Sequence, residues 1–201
     1  IDEGVLSPCG GCLPECTLSV TPGAEGVPSP TDGEGTGTLE VETQTVEFHF
    51  IWIANSGENT VSRLNTGTGC EEARFYTGGD PSRTAVDQDA SGFIGCRGGG
   101  QLMKIATQLD LCVDTNGNGI IDTSTDLSGD CKITPDEMVQ NDECILWSVV
   151  PPGASALRGA GIDAEGNVWV GDSSMPALFL LDGKTGGTLK QHSISASPYG
   201  L

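Results

Sequence analysis

Short runs of aromatic and β-branched residues recur along this chain at a fixed spacing, and that recurrence limits the folds open to it. Phe50-Ile51-Trp52-Ile53-Ala54-Asn55 aligns with Gly92-Phe93-Ile94-Gly95-Cys96 and with Asn167-Val168-Trp169-Val170-Gly171-Asp172. Upstream, Ala85-Val86-Asp87 matches Gly161-Ile162-Asp163. Downstream, 60–64 matches 101–105 and 177–181. Ala54 and Gly95 are 41 residues apart, and Gly95 and Gly171 are 76 apart. The second interval also becomes about 41 if roughly 35 residues near 111–146 are an insert. Pro198-Tyr199-Gly200-Leu201 again sits 41 residues after 157–160. A period near 40 with several short strands per unit predicts an all-β chain of β-propeller-type repeats, about three blades in all. Each blade is a small sheet that cannot bury both faces alone, so blades must stack.

Turn chemistry agrees. Asn65-Thr66-Gly67-Thr68-Gly69 and Asp182-Gly183-Lys184-Thr185-Gly186-Gly187 are hairpin signals in which glycine supplies positive φ. The chain holds 30 glycines and 11 prolines in 201 residues, and few aromatics, which favours a turn-rich β protein over a helical one.

The predicted organisation has five parts. A Cys-rich segment spans 1–16 and a Pro/Gly/Thr-rich linker spans 17–38. Blades occupy 39–110, an acidic insert 111–146, and further blades 147–201, where the chain ends as another repeat begins. Three blades leave open sheet edges. The expectation is therefore a piece of a longer protein, or completion by another polypeptide, or an open packing of the repeats. The chain starts at Ile1 without a basic-then-apolar leader, which fits either a removed signal peptide or a segment of something longer.

Acidic residues number 28 against 9 basic, for a formal charge of −19. Such a surface repels nucleic acid and anionic membrane, and excludes both as partners. No run of 18 apolar residues is present to insert in a membrane. The charge is clustered: 110–143 holds nine acids and one base, Lys132. Eight cysteines (Cys9, Cys12, Cys16, Cys70, Cys96, Cys112, Cys131 and Cys144) in an acidic, turn-rich chain predict disulfides and an extracellular or cell-surface location. Zinc–thiolate binding is disfavoured, since only Cys9-Gly10-Gly11-Cys12 has the spacing. Pairings do not follow from sequence, but Cys112 with Cys144 would clamp the base of the insert.

Within the insert, oxygen-bearing side chains fall at every second residue, as in loops that wrap a hard cation. Asp114-Thr115-Asn116-Gly117-Asn118-Gly119-Ile120-Ile121-Asp122 resembles thrombospondin type 3 and EF-hand-like calcium repeats. By that pattern Asp114, Asn116, Asn118 and Asp122 are side-chain ligands of Ca2+, the Ile120 carbonyl is a fifth, Gly119 takes the turn and Ile121 anchors the loop. The twelfth position, where an EF-hand places glutamate, is Thr125, with Asp126 one residue later as its substitute. In the second loop the same pattern implies Asp126, Ser128, Asp130, the Lys132 carbonyl and Glu137, with Ile133 as anchor and Cys131 in place of the turn glycine. Asp126 would then bridge two ions. The alternative is a solvated Asn/Gly/Asp-rich loop without an ion.

The segments Trp52-Ile53-Ala54-Asn55-Ser56, 163–171 and 182–186 resemble the repeat of virginiamycin B lyase-like and NHL-type propellers. The resemblance covers about 50–110 and 150–201, and implies six or seven blades in a complete protein. Propellers of this kind host lyases, lactonases and pure binding modules. A virginiamycin B lyase-like metal-dependent lyase or hydrolase would place His and Glu residues at a central mouth. Here His49 and His192 fall in no such cluster, so catalytic residues would lie outside this segment. No Gly-x-Ser-x-Gly elbow is present. Arg97-Gly98-Gly99-Gly100 reads as a tight inter-strand turn, and Trp52, Trp147 and Trp169 as core or anchor residues. The reading favoured by sequence is a secreted, calcium-stabilised, disulfide-bonded propeller-repeat protein. It acts as a structural, adhesion or self-assembling module, as a homo-oligomer or extracellular polymer, and more as scaffold than as enzyme.

Overall fold

The computed structural model describes residues 49–200. The Cys-rich segment, the linker, residues 39–48 of the first expected blade and the thiols Cys9, Cys12 and Cys16 lie outside the described residues.

Within 49–200 the chain is all-β. The strands are β1 (Phe50–Asn55), β2 (Thr60–Asn65), β3 (Glu71–Tyr76), β4 (Gly79–Val86), β5 (Gly92–Gly98), β6 (Leu102–Ile105), β7 (Ile145–Val149), β8 (Leu157–Ile162), β9 (Val168–Asp172), β10 (Ala177–Leu181) and β11 (Thr188–Ser193). They form three antiparallel meanders, β1-β2-β3, β4-β5-β6-β7 and β8-β9-β10-β11. Among the described residues helix is limited to two 3-10 turns, Leu109–Leu111 and Pro135–Glu137.

The periodicity of the sequence is a periodicity of register. Ala54 pairs with Val61, Gly95 with Leu102 and Gly171 with Leu178. These are the aligned small residues, each opposite the aligned apolar residue of the next strand. Turns repeat as well. Asp163 accepts the amides of Glu165 and Asn167 through Oδ1, and Asp87 accepts those of Asp89 and Ser91 in the same way. Gly166 supplies a φ of 81° to the first turn, whereas the second places Ala90 at φ 65°.

Two apolar clusters lie on opposite faces of the middle sheet. Trp52, Val61, Phe75, Ile94 and Ile105 make one, between β1-β2-β3 and the middle sheet, with the rings of Trp52 and Phe75 5.9 Å apart. Phe93, Leu102, Leu157, Val168, Val170, Phe179 and Leu181 make the other, against β8-β9-β10-β11. β5 therefore lacks the alternation of a half-exposed strand, and Gly92 to Cys96 are all buried. Gly92 has no side chain because the Trp52 indole occupies that space: a Cβ would lie 2.7 Å from its Cε2. Lys104 ties the layers together. Its ammonium is 2.9 Å from Asp87 Oδ2 and donates to the Gly183 carbonyl at 3.2 Å. Trp147 Nε1 donates to the same carbonyl, and Trp169 stacks on His192 at 6.0 Å.

The acidic insert is the connection between β6 and β7. Because pairing persists to Ile105 opposite Ile145, it spans 106–144 rather than the expected 111–146. Arg97 and Gly98 close β5, so the inter-strand turn expected over 97–100 lies at 99–101, with Gly99 and Gly100 at φ 86° and 66°.

Candidate metal centre in the acidic insert

The first loop is organised by Asp114. Its Oδ1 accepts the amides of Gly117 and Asn118, and its Oδ2 that of Gly119. Asn116 Oδ1 accepts the Asn118 amide, and Asn118 Oδ1 the Ile120 amide. The side-chain amides of both asparagines donate to Asp122 Oδ2, at 2.7 and 3.0 Å. The second loop repeats the scheme. Asp126 accepts the amides of Gly129, Asp130 and Cys131, and Asp130 accepts that of Lys132. Each loop turns through positive φ at its fourth and sixth residues: Gly117 (73°) and Gly119 (83°) in the first, Gly129 (73°) and Cys131 (69°) in the second. Cys131 thus adopts the left-handed geometry that its residue type made doubtful. Its amide donates to Asp126 Oδ2 as that of Gly119 does to Asp114 Oδ2, and its sulfur is bonded to Cys70.

Glu137 closes the second loop as expected, and the closing carboxylate of the first loop is the main departure from sequence. Glu137 Oε1 accepts the amides of Leu127 and Ser128, and Oε2 those of Thr134 and its hydroxyl. In the first loop the matching bonds belong to Glu143. Its Oε1 accepts the amides of Thr115 and Asn116, and Oε2 that of Asp122. Glu143 therefore sits where the twelfth-position glutamate of a continuous loop would sit, delivered from 29 residues downstream of Asp114. Asp126, expected as the substitute, is engaged at the head of its own loop. Sequence reasoning counted Glu143 only as charge. Its one signal was adjacency to Cys144, whose disulfide to Cys112 brings the two ends of the insert together as expected. Asp142, missed in the same way, accepts from the amide and hydroxyl of Ser124, the hydroxyl of Thr123 and the amide of Cys144.

These bonds favour the ionised carboxylates. The amides of Thr134 and then Ser128 hold Glu137 down at about 2. Glu143 is lowered, chiefly by the Asp122 amide. In Asp126 partial burial pushes upward, but the amides of Cys131 and Gly129, the Ser128 hydroxyl and the Asp130 amide together win.

The insert is fixed to the sheets at two interior points, one in each loop. Ile133 is buried, and its amide donates to Glu71 Oε2 at the start of β3. Ile121 packs against the first apolar cluster, while the Ile120 side chain is exposed. The donor set of each loop is all oxygen, from Asp, Asn, Ser and Glu, which fits a hard cation over a soft one. Among the described residues no three His, Cys, Asp or Glu side chains already converge at metal-ligand spacing. Their oxygens are turned to backbone amides, and the Asn116 and Asn118 amide nitrogens face Asp122. His49 precedes β1 and His192 lies on β11, both exposed.

No protein-family profile matches the chain, and no curated protein matches it. Among solved structures it is similar to a protein of unknown function from Bacteroides caccae, at 13% identity and a TM-score of 0.42. The likeness covers 70% of this chain and 39% of that one. Among the described residues the coordinates establish an all-β architecture of three antiparallel sheets with two disulfides, Cys70–Cys131 and Cys112–Cys144. Among the described residues no helix is long and apolar enough to cross a membrane.

Proposed function

We propose that this chain is a calcium-stabilised, disulfide-bonded propeller-repeat module that serves outside the cell as a structural, adhesive or self-assembling element. One observation carries the calcium reading. Two loops of different sequence share one hydrogen-bond scaffold, and each ends on a glutamate bound to the amides of its second, third and ninth residues. In the first loop that glutamate comes from outside the loop, so the scaffold is conserved within the molecule although the sequence pattern is not. Asp114, Asn116, Asn118, Asp122 and Glu143 would hold one ion, with the Ile120 carbonyl. Asp126, Ser128, Asp130 and Glu137 would hold the second, with the Lys132 carbonyl. The ion would replace the mutual hydrogen bonds of Asn116, Asn118 and Asp122 and cancel the carboxylate repulsion of the insert. The register repeat and the stacking of three meanders support the propeller-type reading. The disulfides support an oxidising compartment.

The test is a thermal melt of the full chain in excess calcium and again in chelator. Free calcium at a hundred times Kd stabilises by about 2.7 kcal/mol per site. For a domain of this size that is a rise of roughly 5–10 °C per site. The rise is expected to vanish in Asp114→Ala/Asp126→Ala and to fall by about half in Glu143→Gln. Identical melts in calcium and chelator would overturn the reading.

A further inference from the structure

In a chain of charge −19 with nine basic residues, two arginines that form no ion pair among the described residues meet at one aromatic ring. Arg83 lies on β4 and Arg158 on β8, strands that pack against each other. Their guanidinium carbons stand 4.8 and 4.2 Å from the centroid of the Tyr199 ring. Arg158 Nη2 also donates to Tyr199 Oη at 3.2 Å. Arg158 and Tyr199 are 41 residues apart, one repeat, so equivalent positions of successive repeats converge at this point.

The other basic residues of the middle sheet are engaged. Arg97 pairs with Asp80, and Lys104 with Asp87. Among the described residues neither Arg83 nor Arg158 has an ion pair within 4 Å; the charge of Arg158 is felt by Asp80, whose oxygen is already taken by Arg97, and Arg158 Nε is buried without a hydrogen-bond partner. Two guanidiniums on one ring repel each other and retain unused donors in a planar fork. The chemistry that relieves both is a carboxylate, which takes parallel N–H donors from guanidinium. The exposed Arg83 and Tyr199 leave the approach open to solvent.

We propose that Arg83 and Arg158, meeting at the ring of Tyr199, form a receptor for a carboxylate group of a small-molecule or chain-terminal ligand. The field of the acidic chain selects its charge: a singly charged carboxylate crosses that field at less cost than a doubly charged phosphate. The site lies outside the acidic insert and does not depend on the calcium reading.

The test uses the 15N-labelled full chain, with sodium acetate and sodium propionate titrated against sodium chloride at matched ionic strength. Expected are saturable shifts of the Arg83 and Arg158 Nε–Hε resonances and of the Tyr199 ring with either carboxylate, and none with chloride. Arg83→Gln/Arg158→Gln should weaken the midpoint by at least about tenfold, or 1.4 kcal/mol. Arg83→Gln alone, on an exposed side chain, serves if the double variant does not fold. Inorganic phosphate should bind more weakly than acetate. A response shared with chloride, or none in the full chain, overturns the receptor, and tighter binding of phosphate overturns the carboxylate assignment.

Discussion

Opening the Cys112–Cys144 bridge should remove a large fraction of the stability of this domain. The bridge closes a loop over a sequence separation of 32 residues. The chain-entropy relation gives about 3.7 kcal/mol at 25 °C for a loop of that length. Against a typical stability of about 5–15 kcal/mol, such a loss would leave the domain marginal. Cys144 is also buried in the first apolar cluster, so Cys112→Ala/Cys144→Ala carries a packing cost besides. The molecule contains its own control. Cys96 is a free thiol in the same cluster, fully buried, and its burial pushes it up to about 11. It stays a neutral apolar group at any ordinary pH, and Cys96→Ala reports packing loss without cross-link loss. Urea unfolding of the double variant, the control and the parent in chelator gives the difference. Expected are about 3–4 kcal/mol of loss beyond the control, and a larger m-value, because the unbridged unfolded chain exposes more surface. A difference below about 1 kcal/mol with an unchanged m-value would refute the argument that the bridge acts on the unfolded insert.

Two further outcomes follow from the geometry. Glu137 has a folded value of about 2 against its ordinary 4.5, so its contribution is complete above about 4.5 and is lost as pH falls through about 2. NMR of the Ser128 and Thr134 amides should follow that window, and Glu137→Gln should remove it; amides indifferent to pH across it would count against the closing role. Gly92→Ala drives a Cβ into the Trp52 indole at 2.7 Å and should cost roughly 1–3 kcal/mol, with a change in tryptophan emission. A neutral result would mean that the indole is free to move.

The fold was legible where one residue type can do one thing. The spacing of Ala54, Gly95 and Gly171 located equivalent strand positions because small residues there face the same partners in each sheet. Cys112 and Cys144 were legible as a clamp because they flank the insert. The insert edge was misplaced because Ile145 and Leu146 carry no turn signal and simply resume strand pairing. Within the candidate site, Asp114, Asn116, Asn118 and Asp122 were readable from periodicity. Glu143 was not, because no local pattern records which distant carboxylate folds back onto a loop's amides. Cys131 at positive φ was hidden for a related reason: the amide bonds gathered by Asp126 set the loop's path, against the local preference of its residue type.

The two disulfides overlap in sequence, and this gives the module an uneven response to tension. A pull on the chain entering at Cys70 passes through sulfur to Cys131 and reaches Cys144 after 13 further residues of backbone. The 61-residue span between Cys70 and Cys131 carries no load and cannot lengthen, which withholds about 200 Å of contour. β3 to β6 and the first candidate loop fall inside that sheltered span. Under stretch the outer strands would give way first, while the part that holds the first loop kept its length until the bridge was reduced.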